Sequence, residues 1–144
     1  LWDDAEAPGV PKTTIRLVPD DKIRRVVLCT GKVYYDLLEE REKKGVDDIY
    51  LLRIEQLYPF PAKALLDELS RFQNAEIIWC QEEPKNMGAW AFIQPYVEWV
   101  FDQMGRTGQR VRYTGRPASA STATGLMRTH LAQLQAFLDE ALGS

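Results

Sequence analysis

A three-layer α/β/α fold with a mainly parallel sheet is predicted for residues 25–144 by three observations. Short apolar runs rich in β-branched residues recur without polar alternation, as strands buried on both faces require. Each run is followed by a longer segment of helical period, most of them rich in charge, which supplies the covering layer. Glycine or proline punctuates the joints, so the order reads βαβαβαβα.

The first run, Arg25 to Thr30, is uninterrupted apolar sequence through Cys29 and predicts a buried strand. VYYDLLEEREKK then predicts a helix with Val33, Leu37 and Leu38 on one side. Glu39 and Glu40 each precede a lysine by four residues, a spacing that brings opposite charges together on a helix, and Gly45 is placed to end it. Residues 49–55 predict the second strand. After QLYPFP, Pro61 suits the first turn of a helix facing inward with Leu65, Leu69 and Phe72.

Ala75 to Gln81 predict the third strand, followed by the polar EEPKNMG stretch. Ile93, Tyr96, Val97, Val100, Phe101 and Met104 then hold helical spacing, and Pro95 is expected to start or kink that helix. Arg110 to Gly115 predict the fourth strand and RPASASTATG a loop of small residues. Met127, Leu131, Leu134, Leu138 and Ala141 mark the expected inner face of a closing helix. Residues 1–24, with Pro8, Pro11, Pro19 and no long apolar period, read as a linker from a preceding domain, and the start at Leu1 suggests a piece of a longer chain.

Composition narrows the function classes. The 144 residues carry a formal charge of −3, with no basic face or tail of the kind nucleic-acid binding needs. No apolar run approaches the roughly 20 residues of a membrane helix, and no secretory signal opens the chain. Cys29 and Cys80 lie inside apolar strands and read as reduced, buried thiols. One histidine, His130, and two separated strand cysteines do not make a metal site, and nothing in the sequence sets a nucleophile beside that histidine.

Several residues deserve weighing as candidates. Thr30-Gly31-Lys32 resembles the end of a phosphate loop, but the first glycine is missing and Val33 stands where Ser or Thr is required. What remains is a turn whose free N–H groups and lysine suit an anion. Glu55, Glu82 and Glu83 read more simply as polar strand ends than as acid–base groups, since no electrophile accompanies them. Trp79, Trp90, Phe92, Tyr96 and Trp99 read mainly as core, with Trp90 and Trp99 candidates for a contact surface. In open parallel sheets ligands meet the carboxyl ends of the strands. Thr30, Gly31 and Lys32 are therefore expected near Lys85 and Asn86, forming an anion or effector site.

The segments VVLCTGKVYYDLLEEREKKG, LLRIEQLYPFP, IIWCQEEPKNMGAW, VRYTGRPASASTATG and THLAQLQAFLDEAL, in this order and spacing, closely resemble the C-terminal domain of the 2-oxoglutarate dehydrogenase E1 family over about residues 15–142. The resemblance implies a transketolase C-terminal-domain-like fold whose mainly parallel sheet has room for one reversed strand. It implies a parent homodimer that uses thiamine diphosphate and magnesium to decarboxylate 2-oxoglutarate in the tricarboxylic acid cycle. That parent passes the succinyl group to a lipoyl arm of the E2 succinyltransferase, which works with the E3 flavoprotein in bacterial cytoplasm or the mitochondrial matrix. The family's Gly-Asp-Gly metal–diphosphate signature and substrate histidines are absent from this sequence. No catalytic or cofactor-binding residue is carried over, and the isolated chain is expected to be inactive, with a structural and regulatory role. The competing readings are a free-standing flavodoxin-like or receiver-like domain binding an anion or nucleotide, and the equivalent domain of a transketolase or pyruvate dehydrogenase. Cys29-Thr30-Gly31 stands where a receiver domain needs an acidic pair, and RIEQLYPFP and WCQEEPKNMGAW look proper to the 2-oxoglutarate branch.

Overall fold

The computed structural model describes residues 2–3, 16–106, 109–116 and 127–143. Its strands are β1 (Trp2–Asp3), β2 (Arg25–Cys29), β3 (Ile49–Arg53), β4 (Glu76–Gln81) and β5 (Arg112–Gly115). Its helices are α1 (Val33–Lys44), α2 (Ala62–Leu69), α3 (Trp90–Gln103) and α4 (Met127–Leu142). The sheet order is β1-β3-β2-β4-β5. The four strands from β2 to β5 run parallel, and the reversed strand is β1, which pairs antiparallel with the outer edge of β3.

Alternate residues of each central strand face opposite layers, so two cores form. Val26, Leu28, Leu52, Ile77 and Trp79 meet α2 and α3 through Leu65, Leu69, Ile93, Val97 and Phe101. Val27, Cys29, Leu51, Ile78 and Cys80 meet α1 and α4 through Val33, Leu37, Phe137, Leu138 and Ala141. Both cysteines are free and buried, and burial pushes the Cys29 thiol up to about 12. Gly45 caps α1 in the left-handed conformation at φ 66°, a geometry a side chain would strain.

Two expected faces differ. Tyr96 and Leu131, predicted to point inward, are 41% and 54% exposed. Helical period gives the spacing of an apolar stripe but not where a helix leaves the sheet. Among the described residues of α4 the buried positions are Phe137, Leu138, Ala141 and Leu142. Pro95 lies inside α3 rather than at its start. It sits in the second turn on the exposed side, as does Ala91 four residues earlier, whose carbonyl a proline leaves without its helical N–H partner. The loop 117–126 and the side-chain settings of Met127 and His130 lie outside the described residues.

The amino edge of the sheet is fastened by arginines. Arg25, buried, donates through Nη1 to the carbonyls of Ala141 (2.8 Å), Gly143 (3.0 Å) and Glu140 (3.3 Å), capping the C-terminal end of α4. Arg24 reaches Gly143 O at 2.7 Å and pairs with Asp48 at 2.9 Å. Cations at a helix C-terminus satisfy its orphan carbonyls and oppose its dipole. Arg25→Ala is expected to cost about 2–3 kcal/mol in urea unfolding, because the lost hydrogen bonds are charge-assisted and buried. Half-exposed Arg24→Ala is expected to cost less than about 1 kcal/mol. Equal losses would contradict this assignment of the cap.

Candidate functional site

β2 lies between β3, which follows it, and β4, which comes after β3, so the crossover direction reverses between β2 and β4. At such a switch point the connections diverge and leave a crevice outside the carboxyl ends of the strands. A cavity of about 340 Å³ occurs there, lined among others by Thr30, Leu57, Trp79, Gln81, Glu83 and Phe92.

Gln81, the last residue of β4, organises this edge. Its side chain is buried, and its Oε1 accepts from Trp79 Nε1 at 2.9 Å and from the Trp90 backbone N–H at 3.1 Å. Its Nε2 donates to the carbonyls of Met87 (2.7 Å), Pro84 (2.9 Å) and Glu83 (3.0 Å). One amide thereby ties the core indole of Trp79, the 82–89 turn and the first residue of α3. A buried primary amide has this capacity because it is both acceptor and double donor.

β5 closes the other side of the turn. Tyr113 Oη donates to Arg116 O at 2.6 Å, and its ring meets Trp90 edge-on at 5.2 Å. Burial raises the Tyr113 phenol to about 12, so it remains a hydrogen-bond donor at neutral pH. A Cβ at Gly115 would stand 2.6 Å from Gln81 O and 2.7 Å from Tyr113 Oη, so only glycine permits this approach of β5. At Gly88 (φ 69°) a Cβ would crowd Gln81 Nε2 at 3.2 Å.

Of the five residues predicted as an anion site, Thr30 lines the crevice, and its hydroxyl donates to Ile54 O at 2.7 Å. Gly31 makes the turn at φ 73°. Lys32 is exposed and pairs with Asp36 at 2.9 Å; that hydrogen bond raises its pKa, and Glu82 adds to the effect. Lys85 donates its backbone N–H to Arg116 O at 3.1 Å and sets its ammonium 5.6 Å from the Tyr113 ring centroid. Asn86 is exposed on the same turn. The crevice itself offers mainly apolar walls with Gln81 and Glu83, so any anion would meet the rim and not the floor.

The tryptophan pair divides. Trp90 is 9% exposed and belongs to the core, whereas Trp99 is 47% exposed. Sequence reading placed Gln81 at the carboxyl edge of the sheet but gave its side chain no role. The available signal was a polar residue ending an otherwise apolar strand just before a Pro- and Gly-bearing turn. Glu55 stands 4.0 Å from Arg53, a loose ion pair at a strand end.

Gln81→Ala is expected to destabilise by about 3 kcal/mol, since it strands the Trp79 and Trp90 donors and three carbonyls. Gln81→Glu keeps the acceptor but turns a carboxyl toward three carbonyls, which raises its folded-state pKa. Its stability is expected to be greatest in acid and to fall as pH rises above the ordinary carboxylate range. Urea unfolding followed by tryptophan fluorescence reads both, and a pH-independent Gln81→Glu variant would refute the assigned hydrogen-bond directions.

Comparison with known proteins places this arrangement. Residues 7–142 match the family described as 2-oxoglutarate dehydrogenase C-terminal. The chain is 69% identical over 144 residues, all of its length, to the 2-oxoglutarate dehydrogenase E1 component of Brucella anthropi. It is likewise 69% identical over 143 residues to the E1 component of Brucella ovis. The chain spans 14% of the length of each relative. With the family model covering nearly every residue and the parallel α/β fold in agreement, this chain belongs to the 2-oxoglutarate dehydrogenase C-terminal family.

Proposed function

We propose that the chain serves as the C-terminal domain of a thiamine-dependent 2-oxoglutarate dehydrogenase E1 subunit. That subunit decarboxylates 2-oxoglutarate and succinylates the lipoyl group of an E2 partner, in a complex with E3. The observation that carries the reading is the 69% identity over the whole chain to proteins named E1 component. A free-standing nucleotide-binding domain would have no reason to share that identity along every element. Residues 25–144 form the domain in this reading, and residues 1–24 the connection into it, with Ile23 buried and Leu17 and Val18 packed against the core.

The domain's part is structural and regulatory. Among the described residues no three His, Cys, Asp or Glu side chains converge where a metal ion could be held. In this reading magnesium and thiamine diphosphate are held by other domains of the parent. Among the described residues no helix is long and apolar enough to cross a membrane. The proposed setting is the bacterial cytoplasm, in a homodimeric parent.

The reading retains Thr30, Gly31, Lys32, Lys85 and Asn86 as a rim for a phosphate-bearing effector such as a nucleotide or coenzyme A ester. Two exposed lysines on turns that follow adjacent strands support it. The Lys32–Asp36 pair weakens the local potential, so binding is expected to be modest and salt-sensitive.

Calorimetry on the purified chain tests both statements. Thiamine diphosphate with magnesium should give no binding heat, and the chain should not decarboxylate 2-oxoglutarate; activity above background would overturn the structural role. A coenzyme A ester should bind, and Lys32→Ala or Lys85→Ala should weaken it and flatten its salt dependence. Unchanged affinity in both variants would remove the effector rim.

A further inference from the structure

We propose that the exposed aromatic face of α3, with the Tyr58–Phe60 turn beside it, is the surface on which the preceding part of the same E1 polypeptide docks. The inference rests on the E1 reading above and names the surface that reading requires.

α3 is apolar on two sides. Ile93, Val97, Val100 and Phe101 fill the core, while Phe92, Tyr96 and Trp99, spaced as successive turns of one face, remain 38%, 41% and 47% exposed. Phe60 stacks on Tyr96 with ring centroids 5.0 Å apart, and Phe92 lies 5.3 Å from Tyr96 on its other side. Tyr58, two residues before Phe60, is 81% exposed. Ala91 and Pro95 are exposed on the same helix and add apolar surface. The only charged residues of α3 are Glu98, paired with Arg110 at 3.0 Å, and Asp102. In α1, by contrast, seven of twelve residues are charged, as a solvated helix demands. An apolar face left open beside a buried one calls for a cover, and a contiguous aromatic patch marks a contact.

The path of the chain identifies the occupant. β3 runs from Ile49 to Arg53, and β1 pairs antiparallel with it, Trp2 opposite Arg53. Polypeptide preceding β1 therefore reaches the domain at the carboxyl end of β3. Ile54 to Phe60 leave from that same end, and they carry the turn that stacks on α3. In the relatives most of the polypeptide lies outside the matched 14%. The preceding segment thus arrives at the end of the sheet from which the 54–60 turn leaves, with ample chain to reach and cover the aromatic face.

The test places the photo-crosslinking amino acid p-benzoylphenylalanine at Trp99, and in a control at Leu131. The host is the Brucella anthropi E1 polypeptide carrying this chain in place of its own matched segment. Both positions are exposed, so neither change disturbs the core. Irradiation should give a crosslink from position 99 to a peptide preceding the domain, in a product of single-chain mass, with none of that product from position 131. Product of two-chain mass would assign the face to a second copy and overturn the proposal, as would the absence of any crosslink from position 99. Decarboxylation of 2-oxoglutarate by the unlabelled chimera is measured separately. An inactive chimera counts against the E1 reading, while an active chimera without the crosslink counts against the docking surface alone.

Discussion

The Gln81 amide is buried where β4 ends, and its desolvation is tolerated because both its oxygen and its nitrogen are fully engaged. The consequences run outward from it. The 82–89 turn takes its shape from three carbonyls that face one nitrogen, α3 starts where the Trp90 N–H finds the oxygen, and Trp79 is fixed in the core beneath. β5 can lie close only because Gly115 presents no side chain to Gln81 O. The crevice at the switch point is therefore held in shape by polar contacts that a purely apolar strand end could not supply.

The two edges of the sheet are built on different chemistry. At the amino edge Arg24 and Arg25 draw the end of α4 onto the strands with charged donors. At the carboxyl edge neutral donors and acceptors set the turns, leaving lysines and glutamates to point outward. The helices differ in the same sense. α1 meets solvent with charge, while α3 meets it with aromatic rings.

Much of this was legible in the sequence because the forces concerned are local. Val26 to Cys29, Ile49 to Leu52 and Ile77 to Cys80 read as buried strands since no polar residue interrupts them, and all are buried. Gly45 ended α1 where the charge pattern ended. What escaped depends on tertiary placement. Leu131 has the spacing of an inner residue, but it is 54% exposed, and the burial among the described residues of α4 begins at Phe137. Tyr96 has inward spacing too, yet Phe60 comes to it instead of the sheet. β1 forms in a stretch without strand pattern, because its two residues need only the free edge of β3. Gln81 looked like an ordinary strand end, and its importance appears only when the turn folds back on it.

On these contacts the Gln81 amide fixes the carboxyl edge as firmly as the sheet itself. Native-state hydrogen exchange, followed residue by residue by nuclear magnetic resonance, measures this directly. If the claim holds, the Trp90 amide and the Trp79 indole N–H exchange as slowly as the β4 backbone amides, all through the same global opening. Rapid exchange of both protons while the β4 amides stay protected would show a turn that opens independently, and would contradict it.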